Sequence, residues 1–481
     1  MFVLRSRLGG RQLAAGLMVL GLIGAACGGG GGSSGSGSSS GSGSDQASSG
    51  IKGGPEEASA GTKASYTPTG PLVADSGFRP DANGFSFANY GNSGSAPPNS
   101  VTNLTPGDMR RAFGDAVCAN MSGGTCNLTP PAQQWMDATN SGMAGGHCYG
   151  FAVASVSLFK SNPPPSQFGA NSTPSLDANN QDLQRELAFG MAAQGFPLVR
   201  AAEVHGTPNN ILDKTMAALN AEKDPKSKMV YSLGIFRRTA PYAGHAVTPY
   251  AVEDRGNGQF AILIYDNNYP KTTQAIMVDR NANSWSYNGS PNPNEPAGQY
   301  DGEANTVSPN GQLGTLELDP ADLSAQQPCP FCNQNGAGAP AATTGTLGAT
   351  GGATYNEIYL ESNSPGDRGH LLLTDDQGRR TGYVNGQYLS EIPGVVVDAT
   401  LSDQDWLAEE EPSYVVPTGQ KVNLTIDGTT LKHPDTENVT VVGPGTNVAV
   451  DDIKLSPGQQ DSLALATNGE SLSYKSGGNE V

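Results

Sequence analysis

The chain has 481 residues, a formal net charge of −18 and no basic block, which argues against nucleic-acid binding, since phosphate contacts need clustered Lys and Arg. Gly and Pro make up about a fifth of it, against a usual share of roughly 12%, and the 36% hydrophobic content supports a core once the tails are set aside. Only one apolar run is long enough to concern a membrane, and it is N-terminal, so a polytopic membrane protein is excluded.

Arg5, Arg7 and Arg11 precede an apolar stretch from Leu13 to Ala26. A basic segment followed by a short apolar one reads as a secretory signal over residues 1–26, too short for a spanning helix. The run ends Ile23-Gly24-Ala25-Ala26-Cys27, which resembles a bacterial lipobox, although Gly24 stands where Leu is usual. The resemblance implies lipidation of Cys27, anchoring to the bacterial cell membrane and an extracytoplasmic location. Ordinary cleavage after Ala26 is the rival. Residues 28–44 are Gly and Ser alone, so 27–65 reads as a flexible tether.

Thr105-Pro106-Gly107-Asp108 has a Thr cap, Pro at the first helical position and an acid three residues on. It predicts a helix through Met109–Cys118. Further helices are expected near Ala132–Ala138 and over Cys148–Lys160, Asn180–Gln194 and Asn209–Glu222. The pattern then turns to strands at Met229–Phe236, Ala246–Val252, Phe260–Tyr265 and Gln274–Val278. Helices followed by a mostly antiparallel sheet make an α+β domain over 66–325. Residues 326–352 read as a linker. His370–Leu373, Gly394–Val397, Val422–Ile426, Val439–Val442 and Ser462–Ala466 predict an all-β region over 353–481, of one or two small sandwich-like modules.

Of the six cysteines, Cys27 is assigned to the lipid. Cys118 with Cys126, and Cys329 with Cys332, are expected as local disulfides in an oxidising compartment. For Cys329-Pro330-Phe331-Cys332, a redox dithiol lacks its βαβ setting and zinc lacks a second Cys pair. Cys148 remains, in Gly145-Gly146-His147-Cys148-Tyr149-Gly150, where a helix begins and its dipole favours a thiolate. A buried structural thiol is the bland alternative.

His245 opens one strand and Asp266 closes the next. A register that pairs Val252 with Gln259 sets Asp266 opposite His245, so a carboxylate would orient the imidazole. A bulge would pass that role to Asn267, and alternation permits Asn268.

Cys on a helix start, then His, then Asp or Asn on successive strands, resembles the papain-like cysteine peptidase superfamily. Gly146-His147-Cys148-Tyr149 resembles its Gly-small-Cys-aromatic core, and the likeness covers roughly residues 105–290. It implies a papain-like domain with Cys148 as nucleophile, His245 as general base and acid, and Asp266 or Asn267 as its orienter. The oxyanion would be held by the Cys148 N–H and a side-chain amide. Asn140 is favoured for that amide over Gln133 and Gln134. His147 in place of a small residue, and Gly145 in place of a Cys, mark a distant branch.

The expectation is a surface-anchored cysteine hydrolase that cleaves a peptide or protein amide bond, with no metal or cofactor. The alternatives are an inert papain-like binding or adhesion lipoprotein, and a transglutaminase-like acyl transferase. His147 either lines the cleft or packs at the helix start. His205 is expected at the surface, and His370 and His433 show no partner pattern. Asp279-x-Asn281-x-Asn283 lacks the Gly and Glu of a calcium loop and reads as a hairpin turn. Asp375-Asp376 reads as an acidic turn.

Overall fold

The short strand β1 (Leu72–Asp75) and one-turn helix α1 (Pro80–Asn83) lead into α2 (Pro106–Phe113), which starts on the expected capping box between Thr105 and Asp108. The structure, a computed structural model, describes residues 63–478 except 93–97, 99, 222–230, 240–242, 294–295, 309–310, 333–353, 365, 399–400, 402–409 and 467–471. Residues 1–26, expected as a signal segment, Cys27 and most of the 27–65 stretch expected as a tether lie outside the described residues. These residues form a mixed helix-and-strand architecture with mostly antiparallel sheets and an all-β C-terminal region. No helix among them is long and apolar enough to cross a membrane.

A small hairpin, β2 (Cys118–Ser122) and β3 (Thr125–Leu128), carries the Cys118–Cys126 disulfide. Helices α3 (Pro130–Gly142), α4 (Cys148–Phe159), α5 (Gln181–Ala192), α6 (Pro197–Arg200) and α7 (Pro208–Ala221) follow. Then come strands β4 (Tyr231–Phe236), β5 (Gly244–Asp254), β6 (Gln259–Tyr265), β7 (Thr273–Asp279), β8 (Ser284–Gly289), β9 (Gly298–Glu303) and β10 (Leu316–Pro320). They form one antiparallel sheet ordered β10-β4-β5-β6-β7-β8-β9, with β1 added beside β5. Along β6 the pleat sends Ile262 and Ile264 into a core with Ile211 and Leu212 of α7. Ala261, Leu263 and Tyr265 face the other way, into a core with Phe151, Ala154 and Leu158 of α4.

Helix α4 is buried almost throughout, because its opposite face enters a third core with Trp135 of α3 and Phe189 of α5. Its crossing with α5 is tight. A Cβ on Gly150 would lie 2.0 Å from the Leu187 carbonyl oxygen, and one on Gly190 would lie 2.9 Å from the Gly150 Cα.

The expected β5–β6 register is wrong. Val252 pairs with Ile262 rather than Gln259, and the register slips again between Pro249 and Ala251. Strand β5 runs on to Asp254, and the tight turn through Gly256, Asn257 and Gly258, all at positive φ, shortens the loop assumed from sequence. The Asp279–Asn283 stretch is the turn expected: the Asp279 carboxylate accepts from the N–H groups of Asn281 and Ala282.

The linker expected at 326–352 begins inside the core. Phe331 packs edge-on against Phe113 and at a tilt against Trp135, and the Cys329–Cys332 disulfide lies beside it. The C-terminal strands are β11 (Tyr355–Ser362), β12 (His370–Asp375), β13 (Arg380–Val384), β14 (Gln387–Ser390), β15 (Val396–Asp398), β16 (Ser413–Pro417), β17 (Val422–Asp427), β18 (Asp435–Gly443), β19 (Thr446–Leu455), β20 (Gln460–Leu465) and β21 (Leu472–Lys475). Sheets β15-β16-β11-β18-β19 and β14-β13-β12-β17-β20-β21 enclose one shared core, so this is a single sandwich. Arg200 joins it to the helical part through Asp398 and Glu357, and the Trp135 indole donates to Glu357.

Candidate active site

Cys148 is the first residue of α4, with His147 as its N-cap. Its thiol is fully buried, as are His245 and Asp266. The sulfur accepts from the Ala246 N–H at 3.3 Å, which sets it against the backbone of the residue after His245. His245 Nε2 lies 2.9 Å from Asp266 Oδ1. With Nε2–H donated to that carboxylate, Nδ1 is the basic nitrogen.

Burial alone would raise the Asp266 pKa. The adjacent His245 charge, and hydrogen bonds from His245, Tyr287 and the Asn268 N–H, outweigh it and hold the carboxyl below its ordinary range. Tyr287 is pushed well above its ordinary value by burial and by Asp266. Lys63 donates to the Asn288 carbonyl and lies 4.1 Å from the Tyr287 ring centre. Burial brings Lys63 down to about 8, against the pull of Asp266.

The Asp266–Asn268 triplet divides its work. Asp266 meets His245. Asn267 donates to the carbonyls of Cys148 and Ala246, at 3.1 and 2.8 Å, and so ties the helix start to β5. Asn268 lies 3.5 Å from His245 Nε2 and donates to the Ser290 carbonyl. Asn140 is not at the thiol: its amide is spent on both backbone groups of Leu104, where it pins α3 to the chain ahead of α2.

Two residues escaped the sequence reading. Asn89 accepts from the His147 N–H at 2.7 Å and donates to Asn268 at 3.3 Å, clasping the helix start to the Asp266 loop. It sits in a stretch without periodicity and gave no signal. Tyr287 could have been found from the alternation Trp285-x-Tyr287 after the hairpin turn.

His147 packs at the helix start. Nδ1 meets the Tyr90 carbonyl at 2.6 Å and Nε2 the Asn103 side chain at 3.0 Å, and burial brings it down to about 4. His205, expected at the surface, is half-buried. It bridges Glu203 and Glu317 at 3.4 and 3.0 Å. Burial opposes its charge, but the two carboxylates prevail and push it up to about 10. Asp319 beside them is buried, and its pKa is raised well above the ordinary value by burial and neighbouring carboxylates. In the sandwich, His370 does have a partner, Glu411 at 2.8 Å, and His433 pairs with Asp367. Among the described residues no group of three or more His, Cys, Asp or Glu is arranged to hold a metal ion.

The thiol also donates to the Leu401 carbonyl at 3.1 Å. Leu401 lies between β15 and β16 of the sandwich. A small, half-open cavity lies between α3, α5 and the sandwich, lined by Gln194, Arg200 and Glu411 but not by Cys148 or His245. No family model matches the chain, and no curated protein or solved structure compared with it matches either.

Proposed function

We propose that this protein is a cysteine hydrolase of papain-like type that cleaves a peptide or protein amide bond outside the cytoplasm. The observation that carries this reading is a buried thiol on a helix N-terminus that accepts from the β5 backbone N–H directly after His245, a His whose Nε2 is held by an ionised Asp. In the chemistry proposed, His245 Nδ1 takes the proton from Cys148. The thiolate attacks the substrate carbonyl carbon, and helix N–H groups hold the negative oxygen. Imidazolium then gives its proton to the leaving amine as the C–N bond breaks. Water, deprotonated by His245, hydrolyses the thioester and returns the thiol. Asp266 keeps the imidazole in the required tautomer and stabilises its cation. The signal segment and Cys27 fit a lipid-anchored substrate-facing enzyme, a location that belongs to the same proposal.

The complete burial of Cys148 and His245 favours a second reading, an inert papain-like scaffold that binds a surface partner. A transglutaminase-like transferase would use the same residues but pass the acyl group to an amine.

Alkylation of Cys148 by dilute iodoacetamide across pH, read by intact mass beside His245→Ala, separates these. The hydrolase reading expects labelling whose pH midpoint, at whatever absolute rate access to the buried thiol allows, lies below the ordinary thiol pKa of about 8.5 and which slows about tenfold or more without the imidazole. Cys148→Ala should abolish cleavage of a peptide library. Full activity in that variant would sink the proposal, and labelling that rises only near 8.5 would favour the scaffold.

A further inference from the structure

The residue that covers the candidate nucleophile belongs to the sandwich, and it is held as a bound peptide would be. Leu401 follows β15 and is 3% exposed. Among the described residues, both of its backbone polar groups find their partners outside its own sandwich. Its N–H donates to Gln194 Oε1 of the helical part at 2.7 Å, and its carbonyl accepts the Cys148 thiol proton at 3.1 Å. Its side chain lies where β5 begins without a Cβ: one added at Gly244 would come within 2.9 Å of Leu401 Cδ2 and 3.0 Å of the Phe236 ring. Phe236, Ala246 and Leu401 share one core with Cys148. A main chain clasped at both polar groups, with an aliphatic side chain over a glycine, is how an enzyme holds an extended polypeptide.

We infer that Leu401 is an intramolecular ligand of the Cys148 site: it fills the position of an aliphatic substrate residue and keeps the site closed until it is displaced. The inference rests on the hydrolase reading for the word substrate, but the occlusion itself does not. A carbonyl oxygen 3.1 Å from sulfur accepts from a thiol and repels a thiolate. Its position also blocks any other carbonyl from approaching the sulfur. The closed state therefore has chemical content beyond packing. The resident side chain further predicts that an aliphatic residue in an extended peptide is what the vacated pocket accepts, and that Gly244 sets its depth.

The test uses the full mature chain and two readouts, the iodoacetamide labelling rate of Cys148 at pH 6.5 and cleavage of a peptide library. Leu401→Asp removes the apolar anchor, and Gln194→Ala removes the acceptor for the Leu401 N–H without touching Cys148, His245 or Asp266. Circular dichroism melting shows which variants are folded, and Gln194→Ala stands in if Leu401→Asp is not. The expected result is labelling about tenfold or more faster in each folded variant, with cleavage products enriched in aliphatic residues at one fixed position. Equal labelling rates in wild type and folded variants would overturn the occlusion. Faster labelling with a thiol that titrates near 8.5, and no cleavage, would retain the occlusion and end the hydrolase reading instead.

Discussion

Three side chains illustrate how far single residues could be read. Cys148 stood out by elimination, since both disulfide pairs form as expected. Asp266 meets His245 even though the register used to place it was wrong, because Asp266 lies just past the end of β6 and can fold back over the start of β5. His205 misled: a lone His before a helix cap gives no hint of Glu317, which arrives from a strand far along the chain. That bridge makes a prediction. Its folded pKa of about 10 stands above the unfolded value of about 6.5. Its stabilisation is therefore fully present below about 6.5 and is lost as pH rises through 10. His205→Gln should lower unfolding free energy by about 2 kcal/mol at pH 6, the worth of hydrogen bonds to charged groups. The difference from wild type should vanish above pH 10, as read by urea titrations at both pH values.

At the scale of elements, long periodic segments were legible, including α4 and β5 to β7, and the hairpin turn after β7 was too. The register was not, since pairing depends on a turn whose length sequence leaves open to a residue or two. Strands β8, β9, β10 and β11 went unnoticed. In β8 and β9, Gly, Asn and Asp interrupt the pattern, and the strand form comes from neighbours rather than from propensity; β10 and β11 are short or flanked by a Gly-rich stretch, although β11 itself carries Tyr, Ile and Leu. Helix α4 is held at one height by its glycine crossing with α5. Gly150→Ala should force the two backbones apart and cost about 3 kcal/mol of stability, in the range for overpacking. Because Cys148 rides on the same helix, its labelling rate should change in the same variant, whereas a solvent-facing Gly→Ala elsewhere should leave it alone.

The whole molecule departs most from what the sequence conveys. Composition and strand pattern predict an α+β domain and an appended β region separated by a linker. Instead the sandwich and the helical part share a core and a buried ion triad of Arg200, Asp398 and Glu357. Residues such as Trp135 and Phe331 look like ordinary core formers, and nothing in their local pattern says that their partners lie beyond a Gly- and Ala-rich stretch. Arg200→Met should leave two carboxylates without their cation and cost roughly 3–5 kcal/mol at neutral pH. The loss should shrink in acid as Glu357, whose pKa burial raises, takes up a proton. Thermal melts at pH 7 and pH 4 would show it, and equal losses at both would indicate that packing alone is responsible.

The segment Lys63–Gly70 gives the fold a mechanical character. Tyr66 donates through its N–H to the Thr273 carbonyl and through its hydroxyl to Glu253, and the N–H groups of Thr69 and Gly70 converge on the same carboxylate. A force applied through the residues ahead of Lys63 would peel these contacts from one end, each breaking before the next is loaded. The first to give would be Lys63 over Tyr287, the ring whose hydroxyl holds Asp266. Tension on the N-terminus would thus slacken the histidine's support before it strained the sheet.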